Sequence, residues 1–306
     1  MLTCDAYLSP KSLNEAFAAV AENMGRYRFV AGATDLLPWA REGRAGDVHV
    51  PVLIDIAGLP ELSEIRRSGN KLWIGGAVQF QRFLDHPELI ACAPAMPDAA
   101  IWFADQQLRE SATIGGNIMN ASPAGDGIPP LLVANASVEM ATLKGREIVR
   151  RRIPLDKFVL GPGRVAAEAD EILVGIECDA LSGYGGAFEK VGHRRSLVIS
   201  VACVSALVKM DRSGRKFEDV RLAIGGVGPV ALRMSAFEQA LSGHAADANH
   251  LKNLLSACEE FVRSRSRQEY RKHVAKGFVV NALVRAMAKA GAPADLCDAM
   301  QEVANG

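Results

Sequence analysis

The stretch SATIGGNIMNASPAGDGIPPLLVANA, residues 111–136, packs small residues more densely than any other part of the chain. Gly115 and Gly116 follow the apolar Ile114, and Asn117 follows them. Ser122, Pro123, Gly125, Asp126 and Gly127 come next. Residues 131–136 then read as a short apolar helix, with Pro129 and Pro130 tolerable at its first turn. Adjacent glycines can take positive φ and let a ligand approach the backbone itself. Successive bared N–H groups form a nest for phosphate oxygens. Thr113, Asn117 and Ser122 offer side-chain hydrogen bonds beside it. Asp126 is the nearby anion, able to accept from a ribose hydroxyl or an adenine amine. By itself a glycine pair reads first as a tight turn between core elements, because short glycine motifs recur by chance.

A second stretch, FVAGATDLL at residues 29–37, shifts that balance. Phe29, Val30 and Ala31 read as a short buried strand. Gly32, Ala33 and Thr34 turn, and Asp35 precedes a helical run, Leu36 onward to residue 41. Backbone amides at such a turn can also face phosphate. The G-x-G-x-x-G spacing of a Rossmann unit is missing. Two distant turns clamping one pyrophosphate from opposite sides is the expectation.

Composition narrows the classes. The chain has 306 residues, 49% hydrophobic, with a formal net charge of +0 and a pI near 7.0. That balance argues against nucleic acid or an anionic membrane as the main partner. The longest apolar run, residues 197–210, is broken by Ser200, Ser205 and Lys209. It falls short of the roughly 20 apolar residues a membrane span needs. No signal-peptide pattern opens the sequence. Cys4, Cys92, Cys178, Cys203, Cys258 and Cys297 are scattered without a C-x-x-C. They read as reduced thiols of a cytoplasmic protein with no bound metal. His49, His86, His193, His244, His250 and His273 show no ligand spacing and read as structural or surface residues.

Along the chain, residues 12–23 read as a helix with a Ser12–Glu15 capping box. Residues 52–56 are a buried strand. Residues 62–66 and 71–74 form a hairpin, after which Gly75, Gly76 and Ala77 offer another backbone-lined spot for a ligand. Helices are expected at 78–84 and 95–103, and a second hairpin at 138–143 and 147–153. Residues 158–163 read as a loop and 171–178 as a strand. The glycine-rich residues 181–186 mark the expected domain boundary. Beyond it come three strands (187–191, 198–210 and 220–224) and helices at 235–241, 251–262 and 266–290. Ser235 with Glu238, and Ser266 with Glu269, read as their capping boxes. The second half is thus a small antiparallel sheet followed by helices. Arg150 to Arg152, Arg194 with Arg195, and the basic run at 263–272 suit either an acidic partner or plain solvated faces. Trp39, Trp73 and Trp102 are ambiguous between core and ligand wall, with Trp102 favoured for the wall because it adjoins Phe103.

With these motifs in place, the chain resembles the flavin-binding medium subunit of the molybdenum hydroxylases, the xanthine dehydrogenase and carbon monoxide dehydrogenase group. The resemblance rests on FVAGATDL (29–36), TIGGNIMNASPAGD (113–126), FEKVGHRRSLVISVA (188–202), RLAIGGVGP (221–229) and EYRKHVAKGFVVNAL (269–283), and it spans essentially the whole length. It implies an α+β fold: a two-part FAD-binding domain of the vanillyl-alcohol oxidase type over 1–180, with subdomains at about 1–56 and 57–180. A C-terminal domain over 181–306 would hold a three-stranded antiparallel sheet with a helical bundle.

The resemblance also implies an electron-transfer subunit binding FAD without a covalent link. Electrons would arrive from [2Fe-2S] clusters on a small partner and leave to NAD, dioxygen or another acceptor. The molybdenum cofactor would lie on a large partner, in a dimer of heterotrimers. Residues 31–35 would hold the pyrophosphate from one side, flanked by Phe29, Val30 and Leu36, and residues 113–117 from the other. Phe103 and Leu173 would pack on the cofactor, Asp126 would hydrogen-bond the nucleotide, and Lys190 would lie near the flavin ring or a bound nicotinamide. One departure stands out: the family often has two glycines where this chain has Gly32-Ala33, and alanine at positive φ costs roughly 1 kcal/mol. A stand-alone flavin oxidase and a scaffold without cofactor are the alternatives.

Overall fold

The computed structural model describes residues 1–192, 199–264 and 266–304. His193, Arg194, Arg195, Arg265 and the expected strand start at 198 lie outside them.

The first unit is a small parallel sheet. It comprises β1 (Ala6–Leu8), α1 (Leu13–Glu22), β2 (Tyr27–Val30), α2 (Leu36–Arg41) and β3 (Val52–Asp55). The strand order is β1-β3-β2, both pairings parallel. A central parallel strand is covered on both faces, and Val52, Leu53 and Ile54 are all buried. Ser12 caps α1 by accepting the Glu15 N–H at 3.2 Å, while Glu15 Oε2 reaches back to the Lys11 N–H. Leu13, Ala16, Phe17 and Val20 form its buried stripe, at the spacing of one helical face.

The second unit carries β4 (Ile65–Ser68), β5 (Lys71–Gly75), α3 (Arg82–Asp85), α4 (Pro87–Cys92), α5 (Met96–Trp102), α6 (Gln106–Arg109), α7 (Ile114–Asn120), α8 (Ile128–Val133), β6 (Ser137–Lys144) and β7 (Glu147–Pro154). It ends with α9 (Leu155–Phe158), β8 (Val159–Gly161), β9 (Arg164–Val165) and β10 (Ile172–Asp179). An antiparallel five-stranded sheet runs β4-β5-β10-β6-β7. The first hairpin begins at Ile65 rather than 62, because Leu62 is drawn into a 3-10 turn and fully buried. The expected loop at 158–163 instead contains β8, which pairs with β9. β10 slips register between Leu173 and Gly175. A Cβ on Gly175 would lie 2.4 Å from the Trp73 ring, so that indole occupies the space a side chain would take.

The third unit comprises β11 (Gly185–Val191), β12 (Ala202–Met210), β13 (Phe217–Gly225), β14 (Leu232–Arg233), α10 (Ser235–Leu241), α11 (Ala248–Leu254), α12 (Gln268–Lys289) and α13 (Ala294–Glu302). The expected three-stranded sheet has four strands, ordered β11-β12-β13-β14. The addition is two residues long and pairs only Ala223 and Ile224 with Arg233 and Leu232, too short to show a period. α12 packs its Ala275, Val279, Val280, Leu283 and Met287 on this sheet. Two expected capping boxes fail. Glu238 turns away to accept from the Leu222 N–H and Arg233. Arg267, not Ser266, is the N-cap of α12, with no side-chain capping bond.

Candidate functional site

The two glycine-bearing stretches meet. A Cβ on Gly32 would fall 1.9 Å from the Ser111 carbonyl oxygen, so the first turn rests directly on the chain entering the second. Gly115 also packs on Gly76, and Gly76 on Leu173, each leaving only 2.5 Å to a carbonyl oxygen if a Cβ were added. Backbone is thus stacked on backbone through three glycines. Beside this stack opens a cleft of about 890 Å³, within the size range of small-molecule sites.

Phe29, Val30, Ala31, Gly32, Ala33, Thr34, Asp35 and Leu36 all line the cleft, as do Gly76, Ala77, Phe103, Thr113, Gly115, Gly116, Asn117, Ser122 and Leu173. Ile114, Asp126 and Lys190 do not. Ile114 is fully buried in the core. Asp126 is 5% exposed and spends both carboxylate oxygens inside the protein. Oδ2 accepts from Lys190 Nζ at 2.5 Å and Oδ1 from Ser200 Oγ at 2.6 Å. Lys190 also donates to the Trp102 carbonyl at 3.3 Å. Asp126 and Lys190, expected at a nucleotide and a flavin ring, thus stand behind the cleft wall and bond each other.

The chemistry of the two stretches differs from expectation. Gly115 and Gly116 sit in α7, not in a nest. Their amides are taken: Gly115 N–H donates to the Gly76 carbonyl at 2.9 Å, and Gly116 N–H to the capping Thr113 Oγ1 at 3.0 Å. The Asn117 N–H bonds the Thr113 carbonyl. What α7 offers the cleft is a face without side-chain bulk at Gly116. The nest belongs to the other stretch. The N–H groups of Gly32, Ala33, Thr34 and Asp35 have no hydrogen-bond partner among the described residues. Ala33 has φ 55 and Asp35 is in the right-handed helical region, so the backbone turns sharply before α2. Alanine therefore keeps the turn that two glycines were expected to require.

The remaining walls are set by packing. Phe103 stacks on Phe80, centroids 4.0 Å apart and rings 9° from parallel. Trp39, not Trp102, is the tryptophan on the cleft. Arg44 lies over it at 4.1 Å, and Arg28 and Arg44 share the buried Asp47. Trp39 could have been chosen from its place one helical turn beyond Asp35. Ile199, 78% exposed, also reaches the cleft, as do Tyr27, Gly163 and Glu171. The Tyr27 hydroxyl donates to the Ala169 carbonyl at 2.6 Å. No local pattern marks these, because they come from β2, the β8–β9 turn, the approach to β10 and the segment before β12, far apart in sequence.

Electrostatics follow the same walls. A bidentate bond from Arg151, both distances 2.6 Å, holds the Glu171 carboxyl below the usual carboxylate range despite burial. Desolvation raises Asp35, a residue lining the cleft, and it raises the Tyr27 phenol. Burial also pushes Asp126 upward, while Lys190 and Ser200 pull it down. The Cys178 and Cys258 thiols are pushed up to about 12 by burial and stay protonated. No cluster of His, Cys, Asp and Glu fit for a metal occurs among the described residues. No helix of the described chain is long and apolar enough to cross a membrane. A cleft of this size, with four amides unpartnered among the described residues on one wall, fits a dinucleotide carrying a pyrophosphate.

Comparison with known proteins agrees. Residues 3–178 match the family model described as the FAD binding domain in molybdopterin dehydrogenase, and residues 187–286 match the CO dehydrogenase flavoprotein C-terminal domain. The carbon monoxide dehydrogenase medium chain of Hydrogenophaga pseudoflava is 31% identical over 288 residues, covering 92% of this chain and 97% of that one. The xanthine dehydrogenase FAD-binding subunit of Escherichia coli O157:H7 is 28% identical, covering 94% and 97%. Among solved structures, the Hydrogenophaga pseudoflava carbon monoxide dehydrogenase aligns with a TM-score of 0.84 at 28% identity, covering 94% and 99%.

Proposed function

The chain belongs to the FAD-binding medium subunits of the molybdenum hydroxylases, and from that premise we propose how its cleft holds the cofactor and where its electrons go. The carrying observation is the row of four amides at residues 32–35 beside the cleft, unpartnered among the described residues. They receive the FAD pyrophosphate on the first turn. α7 closes from the other side through the bare Gly116, while Thr113 fixes the end of that helix and Asn117 and Ser122 offer polar contacts. Gly76, Ala77 and Leu173 form the floor, and Phe103, backed by Phe80, forms a wall. Phe29, Val30, Ala31 and Leu36 hold the first turn on its strand and helix.

Bound there, FAD supplies the redox chemistry. The protein's own groups position it and screen it from water. The subunit takes electrons from iron–sulfur clusters of a small partner and delivers them to NAD, dioxygen or another acceptor. The molybdenum site lies on a large partner, and the assembly is a dimer of heterotrimers in the cytoplasm. Its building plan divides at residues 181–186, with the cofactor domain before and the four-stranded sheet after.

Gly116→Val tests the cleft. Its Cβ would start 2.9 Å from Thr113 Oγ1, and the two methyl groups project where no side chain now stands. The purified variant is expected to keep wild-type circular dichroism but lose FAD on desalting, read as the ratio of 450 nm to 280 nm absorbance. A stoichiometric yellow variant would remove α7 from the cofactor's contacts.

A further inference from the structure

A side-chain hydrogen bond joins two walls of the cleft. Tyr27 opens β2, the strand that runs into the turn at residues 31–35. Tyr27 and Phe29 share one face of that strand, and both line the cleft. Their rings meet edge to face, centroids 5.1 Å apart. The Tyr27 hydroxyl reaches past this pair to donate to the Ala169 carbonyl at 2.6 Å, 142 residues along the chain. Ala169 lies between β9 and β10 and lines the cleft with Glu171. The segment around it is otherwise tied to its own sheet. Arg151 of β7 donates to the Ala166 carbonyl at 2.8 Å and to Glu171 at 2.6 Å. Thr142 of β6 donates to Asp170 at 2.7 Å, and the Ala166 N–H to the Phe158 carbonyl at 2.8 Å. Among the described residues, Tyr27 is the sole hydrogen-bond donor from the first unit to residues 166–171. Three strand steps separate Tyr27 from Val30, so the bond stands about 10 Å along β2 from the start of the amide-bearing turn.

We propose that Tyr27 is a positioning residue: its hydroxyl latches residues 166–171 against β2 and closes that part of the cleft over the bound dinucleotide. It acts through the Ala169 carbonyl. The latch opens for a cofactor to pass in either direction. A bond broken during passage and remade afterwards raises the barrier to entry and to exit alike, so it sets the exchange rates and leaves the affinity nearly unchanged. The first unit stays docked without it. Leu13 and Phe17 of α1 share a buried cluster with Trp73, Ile172 and Val174 of the second unit, and Gly32 rests on Ser111. Losing the hydroxyl therefore frees the segment, not the unit. The part of the proposal that concerns the cofactor rests on the FAD reading above.

The test uses the full-length chain. Tyr27→Phe removes one oxygen and keeps the ring on Phe29. Tyr7→Phe is the control: it removes a hydroxyl of the same unit that donates to Asp55 at 2.6 Å, away from the cleft. FAD release is timed by the return of flavin fluorescence on dilution, and association by its quenching on mixing. In Tyr27→Phe both rates are expected to rise about fivefold, the factor one neutral hydrogen bond is worth, with Kd within about twofold of wild type. Tyr7→Phe is expected to leave both rates unchanged. Hydrogen exchange is followed in flavin-free protein, so its outcome stands whether or not FAD binds. Amides at 166–171 should exchange about threefold faster in Tyr27→Phe, with β5 and β6 unchanged. Unchanged rates, unchanged exchange at 166–171, or exchange rising equally in β5 and β6 overturns the proposal. So does faster release alone with a fivefold weaker Kd, which would make the hydroxyl a direct contact of the cofactor. Rates raised equally by Tyr7→Phe would overturn it too, by showing a general loosening of the first unit. Wild-type protein that binds no FAD would instead sink the cofactor reading and leave the exchange result standing.

Discussion

Two neighbouring residues of the first turn obey opposite constraints. Gly32 has no room: its Cβ would overlap the Ser111 carbonyl. Ala33 has room but an unfavourable backbone, at φ 55. A left-handed conformation costs a residue with a Cβ roughly 1 kcal/mol, partly offset by the lower entropy of its unfolded state. Ala33→Gly is therefore expected to stabilise the chain by about 0.5 kcal/mol, read as a higher urea midpoint, with FAD binding unchanged or tighter. Gly32→Ala is expected to destabilise it by several times that amount, because a backbone carbonyl cannot move aside as a side chain can. An Ala33→Gly variant less stable than wild type would show that this turn is not under strain. The glycine-for-alanine departure was legible in the sequence; which of the two positions is sterically closed was not, since Ser111 lies far along the chain.

At the scale of elements, β7 and β10 show how one ion pair secures a cleft wall. Arg151 projects from β7 and grips Glu171 at the start of β10, and Glu171 Oε2 also accepts the Glu168 N–H at 2.8 Å. The glutamate's acidity is increased in the fold. A lowered carboxyl pKa contributes stability above the unfolded value near 4.5, which is lost as pH falls through the lower folded value. Glu171→Gln is expected to cost about 1–3 kcal/mol at pH 7, measured by urea unfolding. The gap between variant and wild type should close below pH 4.5. A gap that persists at pH 3 would assign the loss to packing rather than charge. The strands themselves were largely legible, because alternation and turn residues mark 137–154 and 172–179. The contents of α7 were not. Adjacent glycines suit a turn, and only Thr113 as a cap and the Gly76 carbonyl as a partner place them inside a helix. The same reasoning covers Asp126 and Lys190: each was legible as a charge of consequence, but their mutual contact spans 64 residues.

For the whole molecule, the question is how firmly the four-stranded sheet is joined to the rest. Arg221 of β13 is the central connector. It donates to Asp179 at the end of β10 and to Asp219, each at 2.8 Å, and to the Val133 carbonyl of α8 at 3.3 Å. Asp179 is further held by Lys71 and Asn135. Burial opposes its charge, yet these donors outweigh burial and keep the carboxyl below its usual range. Leu207 and Ala223 of the C-terminal sheet are buried in the same cluster as Leu131 and Val138, so apolar packing crosses the same boundary. Removing Arg221 leaves Asp179 to Lys71 and Asn135 alone, and losing a hydrogen bond to a charged group costs about 1.5–3 kcal/mol. The three tryptophans, Trp39, Trp73 and Trp102, all precede this sheet; with Trp102, whose carbonyl meets Lys190 of β11, replaced by Phe in every protein compared, fluorescence reports the N-terminal part while far-ultraviolet circular dichroism reports the whole chain. With Arg221 in place the two urea transitions are expected to coincide, as for one cooperative unit. In Arg221→Ala the dichroism transition should begin at lower urea than the fluorescence transition, with the C-terminal sheet and α12 unfolding first. Coincident transitions in the variant would mean that the shared apolar contacts alone hold the two parts together and that the Arg221 network sets only their alignment.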